Sequence, residues 1–253
     1  MCERACRALA ALAALGPGVL AAPLHAASPD APTILRRADR AVLGETATYT
    51  LRMTVVRPSK PERVVEMRGW KKGDDRGLVR YTAPAKERGT AYLRSGDSTW
   101  LYLPSAEKVV RVGAKQNFGG GDFSNADIFR LSLIEDYAPI LAGEEAVEGQ
   151  ACYKLELKAK DRSIAYDKVV YWVRADGTFY PVKADYYTLS GKNLKSLVLS
   201  QVKPLGGRSR PTLLTMESRV DEDSRTRLEF LTIQDDVKLD DRLFSPGALE
   251  RGE

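Results

Sequence analysis

Hydrophobic and polar residues alternate along most of this chain, in short runs broken by turn residues. In TYTLRMTV, Tyr49, Leu51, Met53 and Val55 share one face, and Thr48, Thr50, Arg52 and Thr54 share the other, which is the period of a strand buried on one side. RVVEMRGW, GLVRYT, TAYLRS, STWLYLP, KVVRV, YKLELKA, KVVYWVR, TFYPVKADYY, LKSLVLSQV, TLLTMESRV and RLEFLTI follow the same habit. Asp176-Gly177 and Ser190-Gly191 are short glycine-containing links of the kind that join antiparallel neighbours. About 11–12 strands exceed what a small flat sheet holds, so a mainly β fold that curls into a barrel or an open half-barrel is expected.

Two segments break the alternation as helices. In DAPTILRRADRAVL, Asp30 is placed to cap, Pro32 sits in the first turn, and Ile34, Leu35, Ala38, Ala41 and Val42 form one stripe opposite Arg36, Arg37, Asp39 and Arg40. This helix should lie on the sheet. The second follows three glycines in KQNFGGGDFSNADIF: Ser124 is positioned as the cap with Asp127 three residues on, an Asp variant of the capping box. Its apolar residues Ile128, Phe129, Leu131, Leu133 and Ile134 spread around the circumference, so most of the helix must be covered. Gly119, Gly120 and Gly121 lack the Lys-Ser/Thr that follows a phosphate loop, and Asp122 would repel a phosphate. They are expected to give a flexible connection, the hinge of a lid.

The N-terminus changes the location. Arg4 and Arg7 precede an apolar run over residues 8–22, broken by Gly16-Pro17-Gly18 and ended by Ala26 and Ala27, the order of a cleaved secretory signal. Residues 1–26 are read as that signal and residues 27–253 as a single domain in the periplasm or an equivalent exported space. The chain's one histidine, His25, and two of its three cysteines, Cys2 and Cys6, would leave with the signal. Without an imidazole, neither a Ser-His-Asp nor a Cys-His nucleophile can be assembled, and zinc or iron sites lose their usual ligands. Cys152 is expected as a buried strand residue. The net charge of +5 is spread among interspersed signs, a solvated surface rather than a nucleic-acid footprint.

Asp122, Asp127, Glu135, Asp136, Glu144 and Glu145 could supply a glycosidase-like pair, but their spacing fits solvated loop and cap positions. The aromatic residues point elsewhere. Trp100 and Tyr102 share a face of TWLYLP with Leu101 and Leu103 on the other, and Tyr171 and Trp172 lie on opposite faces. Strands apolar on both faces have both faces covered; they belong either to an ordinary sandwich core or to an apolar concavity closed by the helix after the glycines.

WLYLPSAEKVVRV, NFGGGDFSNADI, EGQACYKLELKAK, YWVRADGTFYPVKADYYTLSGKNLK and LFSPGAL resemble, in that order, the outer-membrane lipoprotein-sorting proteins of the LolA-like superfamily, nearest to a branch associated with large resistance-nodulation-division type lipid exporters. The resemblance runs roughly from Arg36 to Gly252. It implies an unclosed antiparallel β-barrel with helices as a lid over the concave face, and a non-catalytic periplasmic carrier of lipoprotein or lipid acyl chains. On that picture Leu51, Met53, Trp100 and Tyr102 would line the apolar cavity, Ile128, Phe129 and Leu131 would belong to the lid, and Gly119, Gly120 and Gly121 to its hinge. A strand arginine holds the closed lid in such carriers, and Arg52, Arg68 and Arg80 are positions for it. No cofactor is expected, and the protein is expected to be a monomer. An inner-membrane transporter of the resistance-nodulation-division type is an expected partner. An alternative keeps the fold but makes the protein an envelope sensor or docking module that carries no cargo.

Overall fold

Tyr49, Leu51, Met53 and Val55 are all buried and their neighbours are not, as the alternation in β1 (Thr46–Val56) requires. The computed structural model describes residues 28–129 and 132–252. The expected signal segment and Leu131 lie outside the described residues. After β1 come β2 (Arg63–Lys72), β3 (Arg76–Ala83), β4 (Ala91–Ser95), β5 (Ser98–Leu103) and β6 (Lys108–Val112). Then follow β7 (Tyr137–Val147), β8 (Gln150–Ala159), β9 (Lys168–Arg174), β10 (Pro181–Tyr187), β11 (Asn193–Leu205), β12 (Arg208–Ser218) and β13 (Arg225–Asp235).

All thirteen form one antiparallel sheet, ordered β6-β5-β4-β3-β2-β1-β13-β12-β11-β10-β9-β8-β7. Two meanders, β1 to β6 and β7 to β13, are joined where β1 pairs with β13, from Ala47 opposite Asp235 to Val56 opposite Arg225. The sheet is not closed: β6 and β7 are its edges. It does curl. Tyr92 of β4 and Leu155 of β8 belong to one buried cluster, although nine strand steps separate them, about 43 Å in a flat sheet. The alternation expected about 11–12 strands; β7 is the addition. Most of it is exposed and it carries Pro139 and Gly143 with a register break at that glycine, features of an edge strand that erase the alternation.

Helix α1 (Ala31–Val42) forms as its sequence dictates: the Asp30 carboxylate accepts from the Thr33 N–H at 2.8 Å, and Ile34, Leu35, Ala38 and Ala41 are buried. It packs within the concave side against β7 and β12. The expected single helix after the glycines is instead two short ones, α2 (Asn125–Phe129) and α3 (Leu133–Asp136). Both lie in the long connection between the two edge strands, residues 113–136.

The convex side has its own cover. Leu78, Ala91 and Leu93 are sealed by Phe244 and by Leu249 of α4 (Pro246–Arg251), and Trp70, Trp100 and Tyr102 join that cluster. Trp100 and Tyr102 therefore do not line the concavity. In β5 it is Leu101 that turns inward, and the C-terminal helix covers the aromatic pair. Tyr171 and Trp172 do point to opposite sides. Trp172 lies outside, beneath Lys154 and Lys183. Cys152 is fully buried, and burial pushes its thiol pKa up. Among the described residues no helix is long and apolar enough to cross a membrane.

Candidate functional site

The 113–136 connection enters the concave side by a tight hairpin. The Phe118 N–H donates to the Phe123 carbonyl at 2.8 Å, and both rings are buried. Gly119 and Gly120 at its tip have φ of 55° and 69°, in the left-handed region that favours glycine. A Cβ on Gly119 would come within 2.2 Å of the Tyr81 hydroxyl and 2.9 Å of the Met53 methyl. Close approach and a left-handed φ together require glycine at this position. Gly121 is likewise packed, against Thr226.

The hairpin is also pinned by cations. Arg57 donates to the Asp122 carboxylate at 2.9 Å and to the Gly120 carbonyl at 3.1 Å, while Arg63 donates to the Gly119 carbonyl at 2.7 Å. Arg94 holds the Phe129 carbonyl at 2.9 Å. Lys195, on β11, reaches the Asp122 carbonyl at 3.0 Å and the Asp127 carboxylate at 2.5 Å. None of the three arginines expected for this role takes part. Arg52 pairs with Glu66 on the outer surface, Arg68 lies over Trp70, and Arg80 donates to the Leu249 carbonyl of α4.

The capping box is present in both directions: Ser124 N–H to Asp127 at 2.6 Å and Asp127 N–H to the Ser124 hydroxyl at 3.2 Å. Asp122 and Asp127 are nevertheless not the solvated residues their spacing suggested. Asp122 also accepts from the hydroxyls of Ser224 and Thr226. Asp127 also accepts from Tyr166 at 3.2 Å, and its side chain is 5% exposed beside a Lys195 side chain that is 11% exposed. A pair this dry holds only while both partners remain, since losing one leaves an uncompensated charge at a cost of about 3–5 kcal/mol.

The concave side is divided. Across β1 to β4 it is filled: Phe118 packs against Tyr92 and Phe129, and Leu51, Met53 and Ile128 are buried in the same cluster. Across β9 to β13 it is not. There a cavity of about 130 Å³ lies between α1 and the sheet, lined by Ala38, Asp39 and Val42 from α1, by Leu43 just after it, and by Ala126 and Asp127 from α2. Leu133 and Asp136 come from α3, and the sheet supplies Tyr171, Pro181, Tyr186, Leu197, Leu199, Leu214 and Phe230. Of the residues expected to meet a ligand, none of those described lines it: Leu51, Met53, Ile128 and Phe129 belong to the filled half, and Trp100 and Tyr102 to the other face. The inward parity of β11, where Leu197 and Leu199 alternate with Ser196 and Val198, was available in the sequence to find its wall. The volume is near that of a core cavity that admits one benzene ring, well short of an acyl chain.

One wall is polar. Asp39 accepts from the Ile134 N–H of α3 at 3.1 Å. Burial is the main influence on this carboxyl and pushes its pKa up to about 7, against the opposing backbone hydrogen bonds of Ile134 and Leu133. Tyr171 and Tyr186 also have pKa values raised by burial.

A LolA superfamily protein of solved structure from Nitrosomonas europaea is 30% identical to this chain, with a TM-score of 0.77, over 86% of this chain and 98% of that one. This chain belongs to the LolA superfamily. A DUF1329 family protein from Desulfovibrio piger is 28% identical, with a TM-score of 0.78 and coverage of 86% and 97%. A domain from Vibrio parahaemolyticus named for outer-membrane lipoprotein sorting shares the LolA fold at 23% identity and a TM-score of 0.77, over 87% of this chain and 98% of that one. A family model described only as an uncharacterized protein matches residues 73–251, and no curated protein matches. The LolA fold thus extends over the curled sheet and its long edge-to-edge connection together.

Proposed function

We propose that this protein is a periplasmic carrier that takes the acyl chains of lipids or lipoproteins beneath α1 and the 113–136 connection and moves them toward the outer membrane. The carrying observation is a largely apolar cavity of about 130 Å³ under α1 and the 113–136 connection, in a chain that belongs to the LolA superfamily. Each CH₂ withdrawn from water contributes about 0.8 kcal/mol, so a chain of ordinary acyl length repays displacement of a helix that holds the cavity small. The carboxylates nearest the cavity support a role without catalysis: Asp127 is engaged by Lys195, Tyr166 and the Ser124 N–H, and Asp39 by α3. A transporter of the resistance-nodulation-division type in the inner membrane is the source of cargo on this reading.

The test is native mass spectrometry of the protein purified gently from its own envelope, then extraction and identification of what is released. A stoichiometric lipid or acylated peptide is expected. Protein that is empty, and that takes up no lipid from vesicles, would overturn the carrier reading.

A further inference from the structure

β10 and β11 part before either strand ends. Their pairing runs from Tyr187 opposite Asn193 to Lys183 opposite Val198 and stops there, while β11 continues to Leu205 with β12 as its partner. The sequence at the parting explains it. Pro181 has no N–H to give a ladder, and the register of β10 against β9 slips at Val182, a bulge that re-aims the strand. Across from them Gln201 has φ of 53°, a left-handed kink that a residue with a side chain adopts at a cost. Further on the two sides are tied together again: the Tyr180 hydroxyl donates to the Ser209 carbonyl of β12 at 2.5 Å. What remains is a window in the sheet, closed at both ends.

Two spaces meet at this window. On the outer face, where Val182 packs with Trp172, a groove of about 440 Å³ is lined by Val182, Val198, Ser200 and Val202, with Glu148, Gln150 and Arg174 as its polar part. On the inner face lies the cavity beneath α1. Pro181 and Leu199 line both. Leu199 belongs to the inner cluster, and it reaches an outer groove because β10 has left the flank beside it.

We infer that the window admits the acyl chain, which enters from the outer groove methyl end first, passes between Pro181 and Leu199, and ends in the cavity with its polar head left in the groove. The inference rests on the carrier reading and gives the cargo a path. Small-molecule sites enclose roughly 300–1,000 Å³; the groove falls within that range and the cavity below it, so the two joined hold a chain that the cavity alone does not. Turning Leu199 aside breaks no strand pairing, since the ladder is already open at that point.

Isotope-labelled palmitate bound to the protein, read by isotope-filtered NOEs, tests the path. The terminal methyl is expected to contact Leu197 and Leu214, which line the cavity and not the groove, and the methylene next to the carboxylate to contact Val198 and Val202, which line the groove and not the cavity. Ser200→Trp fills the groove, leaves the cavity walls in place, and is expected to weaken palmitate about tenfold by calorimetry. The wild-type NOEs decide the matter even where that variant fails to fold. Contacts confined to one side of the sheet, or unchanged affinity in folded Ser200→Trp, would overturn the inference and leave the carrier reading standing. Palmitate that does not bind at all would remove both.

Discussion

At Gly119 the conformation and the space agree. With φ at 55° and the Tyr81 hydroxyl and Met53 methyl where a Cβ would go, Gly119→Ala is expected to cost about 2–4 kcal/mol from strain and overpacking together. Gly120→Ala has the same backbone handicap but nothing within 4 Å of the new carbon, and should cost about 1 kcal/mol. Urea midpoints of the two variants measure the difference; equal losses would mean that packing around the tip is looser than described. Asp39 gives a pH dependence. Its carboxyl binds a proton more tightly folded, with a pKa of about 7, than at its ordinary value of 3.8. Its contribution is therefore fully present below about pH 4 and lost as pH rises through 7. Asp39→Asn should be close to the wild type in stability at pH 4 and more stable at pH 8, by on the order of 2 kcal/mol, read by thermal scans at both pH values. In the sequence Asp39 sits among Arg36, Arg37 and Arg40. It also follows Leu35 by four and precedes Val42 by three, so it borders the apolar stripe, and only the position of α3 decides which way its carboxyl turns.

At the scale of elements, the alternation specifies strands wherever one side is buried, and the caps Asp30 and Ser124 start helices where the sequence places them. It is silent where burial is one-sided in another way. β7 is an exposed edge, and α4 is a six-residue turn of helix that matters only because Leu78 and Leu93 lie beneath it. The parity of Trp100 and Tyr102 was readable, but not which side was concave, because that depends on how far the sheet curls. The anchoring of α2 was hidden for a similar reason: Lys195 lies 68 residues from Asp127. Lys195→Met should destabilise the protein by about 3–5 kcal/mol, and adding Asp127→Asn should recover part of that loss, since the second change removes the stranded charge. Hydrogen exchange at the Ala126 and Ile128 amides, bonded to Ala114 and Ser124, should quicken in the single variant more than in the double. Additive losses would show that the pair is not coupled.

For the molecule as a whole, the connection from β6 to β7 joins the two edges of the sheet, so its displacement breaks no strand pairing. That is why cover and cavity meet there. The same order puts the first strand against the last. Ala47 pairs with Asp235 at the seam between the meanders, so neither meander can finish alone: a chain emerging N-terminus first shows one bare flank of β1 until nearly every residue has followed. Contacts so remote in sequence form slowly, and a naked strand flank recruits other chains. The seam thus acts as a delay on folding. Until β13 is in place, the bare flank of β1 makes this the interval in which the chain most needs a holdase.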